Sequence, residues 1–197
     1  MIKQLSKIPV FQKLGYFMEY GRCREIVDMA KPYMNKANSV IDIGAGTCVI
    51  TQLLRERGLE ATALDIQDIS IINDIQPQIY NGAQMPYDDD SFDLAFIAFV
   101  LHHTPRPESI LKESARIAKR VILFEDLVES PWQKRMTFFM DSLYNFEGSG
   151  HPHTNKSHKQ WMKAFDDLNL KLVSYKITRS SIWIFKPMLY GIYALDK

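Results

Sequence analysis

Cysteine is scarce in this chain: Cys23 and Cys48 are the only two, too few for a disulfide framework. A reducing, cytoplasmic setting is therefore the expectation. Charge of one sign is also lacking, since 24 Lys and Arg face 23 Asp and Glu for a formal net charge of +1. That balance provides no long-range field to gather nucleic acid. No apolar run approaches the roughly 20 residues of a membrane span, so no stable membrane insertion is expected. Met1 to Val10 alternates lysines with apolar residues, unlike a signal peptide. No internal repeat, low-complexity segment or linker divides the chain. What remains is a 197-residue sequence, 46% hydrophobic and 24% charged, with the size and composition of one globular domain.

The most informative stretch is Val40 to Thr51, VIDIGAGTCVIT. An apolar run containing Asp42 leads into Gly44-Ala45-Gly46, and Val49, Ile50, Leu53 and Leu54 then follow at helical spacing. This predicts a strand, a glycine turn and a helix. Glycines let the backbone bend sharply and come close to a ligand, while the start of the helix offers unpaired N–H groups. A dinucleotide site would place a third glycine where Val49 stands, which argues against a pyrophosphate here.

The D-x-G-x-G pattern of Asp42, Gly44 and Gly46 resembles the first motif of class I S-adenosylmethionine (SAM) dependent methyltransferases. In that family the loop carrying Gly44, Ala45 and Gly46 lies against the methionine part of SAM, and the acid orders the loop and the ligand's ammonium. Cys48 occupies a position where the family usually has another glycine. After a turn at Gly58, ATALD (residues 61–65) reads as the second strand. Asp65 at its end is placed to accept both hydroxyls of a ribose, and Ile66 follows it.

The stretch from Asn81-Gly82 through Met85-Pro86-Tyr87 and Ser91-Phe92-Asp93 to Leu101-His102-His103 resembles the type 11 methyltransferase group. The resemblance implies that Asn81, in place of an Asp, meets the adenine amino group, with Gly82 as a backbone donor to the ring. It also implies that Ala98 and Phe99 face the methionine chain. His102 and His103 have two readings: a cap or packing feature, or substrate-facing imidazoles that take a proton near neutral pH.

The implied fold class is α/β: a Rossmann-like, doubly wound, seven-stranded, mostly parallel sheet with one antiparallel strand, in three αβα layers. N-terminal helices and a helical lid after the fifth strand complete it. The expected partition of this single domain is an N-terminal helical lid (1–36), a SAM-binding core (38–127), a substrate lid (128–169) and C-terminal strands (170–197). Residues 1–36 read as a helix pair divided at Gly21. Phe11, Leu14, Phe17 and Met18 share one face, and Ile26, Val27, Ala30 and Met34 another.

Tyr16 and Tyr20 are candidates for the acceptor side, and Arg22, chosen over Arg24, for the SAM carboxylate. Glu125 at the end of the fifth strand, Phe139 and Tyr144 in the following helix, and His151 in a Gly-rich loop are the remaining substrate candidates. That loop holds His151 and His153, with His158 beyond it, but neither a Cys partner nor regular helical spacing supports a metal site.

The implied function is methyl transfer from SAM, leaving S-adenosylhomocysteine (SAH), to a small apolar or aromatic acceptor. Nucleic acid is not expected as a partner, and homo-oligomers stay open. Two rival readings are a non-catalytic SAM-fold module, prompted by Cys48 and Asn81, and a nicotinamide oxidoreductase sharing the turn and acid.

Overall fold

The structure is a computed structural model that describes residues 9–133, 135, 154–179 and 189–197, with backbone only for 9–15 and 18. Its central strands are set by apolar runs with no polar face. β1 (Ser39–Ile43), β4 (Phe92–Ala98) and β5 (Ala118–Leu127) are buried along most of their length, as parallel strands covered on both faces must be. β2 (Glu60–Asp65), the two-residue β3 (Gln78–Ile79), β6 (Lys171–Arg179) and β7 (Leu189–Asp196) complete seven strands. Their order is β3-β2-β1-β4-β5-β7-β6, and β7 alone runs antiparallel to its neighbours.

Alternation along the strands sorts side chains into two apolar layers. Val40, Leu94, Phe96, Ile122 and Phe124 pack with α1 (Pro9–Ala30) and α2 (Val49–Glu56). Ile41, Ile43, Ala95, Ile97, Val121 and Leu123 pack with α3 (Pro107–Ile117) and α4 (His158–Asp167) on the other face. Three αβα layers result. The winding reverses between β1 and β4, which opens a crevice at the carboxyl ends of those strands.

Local chemistry sets the element ends. α3 carries Pro107 in its first turn, and β5 starts directly at Ala118, so no loop separates that helix from the strand. α4 opens with a capping box: Ser157 Oγ accepts from Gln160 N, and the Gln160 side chain accepts from Ser157 N. Asp93 of the S-F-D motif accepts from the Asn38 and Ser39 backbone N–H groups and from Lys119, tying the entry of β1 to β4.

Two sequence expectations change. The N-terminal helix pair is one helix, since α1 runs unbroken through Gly21 before a 3₁₀ turn at Lys31–Tyr33. Burial of Cys23, Ile26, Val27 and Ala30 offsets the roughly 1 kcal/mol by which Gly disfavours a helix interior. Phe17 is 82% exposed and so does not belong to a buried face. A helix begins at Pro131, where Ser130 Oγ accepts from Gln133 N, and Trp132 on it is 59% exposed. Phe139, Tyr144 and His151 lie outside the described residues.

Candidate functional site

The Gly44–Gly46 turn sits at the crevice. Gly44 N and Ala45 N donate to Leu64 O, at 2.8 and 3.2 Å, pinning the turn to β2. Gly44 has φ +72°, and a Cβ there would lie 2.5 Å from Val100 Cγ2, so glycine is required by contact as well as by conformation. Gly46 N donates to Asp65 Oδ2 at 2.8 Å, and Asp65 Oδ1 accepts from Ile66 N and Gln67 N. Asp65 thereby closes the turn. Oδ1 thus has both of its acceptor sites filled and Oδ2 one of two, which leaves one site on Oδ2 for a ribose hydroxyl.

Asp42 is buried and accepts from Thr51 Oγ1 at 2.6 Å, bracing the end of β1 against α2. Burial pushes its carboxyl up to about 7, against the lowering effect of the Thr51 bond and with a further rise from the Asp65 charge. Cys48 takes φ +61°, the left-handed conformation that explains why glycine is usual there. Its thiol is buried against Ala45, Ala63 and Ile75, and burial raises it to about 11, so it is inert.

Asn81 Oδ1 accepts from Ala83 N and Gln84 N, which makes it the cap of a tight turn. Gly82 has φ +74°, and a Cβ there would come within 3.3 Å of Ile66 Cγ2. Ile66 is 60% exposed, so an apolar side chain and a bare glycine stand together at the end of β2. A planar, partly apolar ring fits against such a pair.

On the other side of the crevice Phe99 leaves β4 with φ +58°, its N–H still bonded to Phe124 O. The Arg22 guanidinium lies 5.2 Å from the Phe99 ring centroid, and the Tyr190 ring meets it edge-on at 5.0 Å. Arg24 instead points to Asp28 on the exposed side of α1. Arg22, and not Arg24, is therefore the one beside Phe99. Tyr16 and Tyr20 pack together with centroids 5.3 Å apart, and Gln52 Nε2 donates to Tyr16 OH. Ala98 is half-buried beside them.

Glu125 does not face this crevice, which corrects its expected role as a substrate contact. It is fully buried: Oε1 accepts from Val100 N and Leu101 N, and Oε2 lies 2.6 Å from His102 Nδ1. His102 is only 2% exposed, so of the two candidate bases only His103 keeps accessible surface. Thr154 clips the same 3₁₀ turn (Leu101–His103) from outside, donating its N–H to His102 O. His158 heads α4, its Nδ1 2.9 Å from Tyr193 OH, and its ring stacks on Tyr175. Among the described residues no group of three His, Cys, Asp or Glu could hold a metal, and no helix is long and apolar enough to cross a membrane.

The neighbouring acid, Asp126, shares with Glu125 the end of the fifth strand and has the opposite parity, that of Ile122 and Phe124 in the α1 and α2 layer. Period-2 alternation would separate it from Glu125, but a strand apolar on both faces hides which parity points where. A cleft of about 640 Å³ also opens at the opposite end of the sheet, lined by Lys36, Asp93, Lys119, Arg120 and Asp196 among others. Lys119 and Arg120 are already paired there with Asp93 and Asp196, so the glycine turn, and not this cleft, marks the site.

With this geometry in place, residues 41–121 match the family of methyltransferase domains. A demethylmenaquinone methyltransferase of Corynebacterium glutamicum (strain R) is 31% identical over 102 residues, 50% of this chain and 42% of that protein. A malonyl-[acyl-carrier protein] O-methyltransferase of Marinomonas sp. (strain MWYL1) is 23% identical over 177 residues, 83% of this chain and 64% of that protein. The chain thus spans less than two thirds of either relative. The SAH-bound magnesium protoporphyrin IX methyltransferase of Synechocystis PCC 6803 shares the fold at a TM-score of 0.62 and 15% identity, over 91% of this chain and 83% of that one. The stretch similar to methyltransferase domains includes the glycine turn, Asp65, Asn81 and Phe99.

Proposed function

We propose that this chain binds SAM across the carboxyl ends of β1, β2 and β4 and transfers its methyl group to a small apolar or aromatic acceptor. The observation that carries this reading is the Gly44–Gly46 turn held shut by Asp65 at the point where the winding of the sheet reverses. Asp65 is assigned to the ribose, Ile66 and Gly82 to the adenine with Asn81 capping the turn that presents Gly82, and Gly44 to Gly46 with Ala98 and Phe99 to the methionine chain. Arg22 is assigned to the carboxylate, from its place above Phe99. Asp42 acts on the loop through Thr51.

SAM supplies an electrophilic methyl on a cationic sulfur. The acceptor's electron pair forms the new bond, sulfur keeps the pair of the broken one, and the acceptor loses a proton. The protein's part is alignment and exclusion of water, and no covalent protein nucleophile is needed. His103 is assigned to the acceptor side, with Tyr16 and Tyr20, while His102 holds the turn. The two relatives act on different acceptors, a demethylmenaquinone and a malonyl group on a carrier protein. The apolar rings of Phe99 and Tyr190 support the aromatic class. The near-zero net charge supports a small molecule over nucleic acid, and two free, buried thiols support a reducing compartment.

Titration calorimetry with SAM and, separately, SAH tests the donor site. Binding of both is expected, and Asp65→Ala should weaken each about tenfold or more, near 1.4 kcal/mol. Unchanged affinity in that variant removes Asp65 from the ribose role. A folded wild-type chain that binds neither ligand overturns the reading.

A further inference from the structure

We propose that Asn155 holds the acceptor through its carboxamide and selects a planar, neutral ring that carries a hydrogen-bond donor and acceptor side by side, as a lactam edge does. This inference rests on the methyltransferase reading above and names the acceptor chemistry of the same site.

β5 outlasts β4 at the carboxyl edge of the sheet. Phe124 O accepts from Phe99 N just past the end of β4, and further along Val128 N donates to Lys156 O. Alternate residues of a strand turn their backbone groups to the same neighbour, so residues 154–156 take up the place that β4 vacates. Leu127 and Lys156 form a parallel bridge there. Lys156 points to the layer of α3 and α4: its Nζ is 2.7 Å from Glu108 on α3 and lies over the Trp161 ring of α4. Thr154 turns the same way, its Oγ1 donating to Thr104 O just ahead of α3. Alternation directs Asn155, between them, to the opposite face, where Tyr16, Tyr20, Ala98 and Phe99 pack on the layer of α1 and α2.

The polar ends of the Asn155 side chain, Oδ1 and Nδ2, are both buried, and neither has a hydrogen-bond partner among the described residues. A carboxamide in that state has lost water and gained nothing in return. A bound group that offers a donor to Oδ1 and an acceptor to Nδ2 repairs both at once. The two ends of an amide lie side by side, so the complement is an edge on which N–H and C=O, or O–H and a ring nitrogen, also lie side by side. A lactone or ketone meets only Nδ2. A carboxylate meets Nδ2 and sets a charge against Oδ1. The edge-to-face pair of Phe99 and Tyr190 provides the apolar wall on which a planar ring can lie.

Two probes of one shape isolate the donor. 2-Quinolone and coumarin share a bicyclic outline and a carbonyl, and differ in the lactam N–H against the lactone ring oxygen. Each is titrated by calorimetry into the wild-type chain and into Asn155→Leu, both saturated with SAH; leucine keeps the approximate volume and removes both polar ends. The wild type is expected to hold 2-quinolone about tenfold or more tighter than coumarin. Asn155→Leu should bring the two within about threefold of each other while SAH affinity stays put. Its urea midpoint should equal or exceed that of the wild type, since no hydrogen bond within the fold is broken. Failure of SAH-loaded wild type to bind 2-quinolone, absence of that preference, its survival in Asn155→Leu, or a lower midpoint in that variant overturns the acceptor assignment alone. Failure of the folded wild type to bind SAH overturns the methyltransferase reading, and this inference with it.

Discussion

Cys48 shows what one residue contributes when conformation and burial oppose each other. Its φ of +61° costs an L-residue about 1–2 kcal/mol, yet its side chain is wholly buried with Ala45, Ala63 and Ile75. Burial of a side chain of this size returns roughly the same amount. Cys48→Gly is therefore expected to change stability by less than about 1 kcal/mol in urea denaturation, relief of strain balancing lost packing. Cys48→Val should instead lose about 2 kcal/mol or more, because a β-branched side chain is poorly tolerated at positive φ. Equal stability of the Val variant and the wild type would show that the strain is absent. The departure from glycine was visible in the sequence. Its consequence was not, since neither the φ nor the apolar pocket around Sγ is written in local spacing.

At the scale of elements, β5 governs the wall of the crevice through Glu125. That acid accepts two backbone N–H groups at the entry of the 3₁₀ turn and meets His102, while Val100 in the same turn presses on Gly44. Glu125→Ala would leave these buried donors without an acceptor, at an expected cost of about 3 kcal/mol. Glu125→Gln keeps one acceptor oxygen, so a loss of about 1–2 kcal/mol is expected. SAH titration alongside chemical denaturation separates the two roles. The Ala variant should lose SAH affinity together with stability, because Val100 moves with the turn, and the Gln variant should largely keep it. An Ala variant with wild-type stability and affinity would remove Glu125 from this role.

The same scale shows where sequence reasoning succeeds. Glycine turns and continuous apolar runs announce β1, β2, β4 and β5, because local backbone preference and burial demand the same residues there. The break expected at Gly21 failed, since helix propensity at one position yields to the packing of Cys23, Ile26 and Val27 after it.

For the whole molecule, two buried or clamped acids act on stability in opposite directions as pH changes. Burial raises Asp42 to about 7 in the fold from an ordinary value near 4, so its protonated form favours folding. Its stabilising effect is complete below about pH 4 and is lost as pH rises toward 7, by at most about 1.4 kcal/mol per pH unit. Asp93 is held well below the usual carboxylate range by Lys119 and by the Asn38 and Ser39 N–H groups. Its contribution is present above about pH 4 and is lost as pH falls further. The wild type should therefore be most stable on the acid side of neutrality, and Asp42→Asn should flatten the decline between about pH 4 and 7. Denaturation midpoints at pH 5 and pH 8 check this, and an equal decline in the variant would clear Asp42 of the effect.

The sequence by itself determined the sheet and the glycine turn, because each is specified within a few residues: a doubly buried strand must be apolar throughout, and Gly44 must be glycine to turn. It also put Asp65 at the end of the second strand, where ATALD runs out. Only the tertiary structure decided which side the other groups serve. Arg22 is distinguished from Arg24 by the face of α1 that packs near Phe99. Glu125 and Asp126 are adjacent acids on one strand, and pleating sends one to His102 and the other to Tyr190. Where both faces of a strand are buried, composition no longer records parity, so only the neighbours across the sheet reveal it.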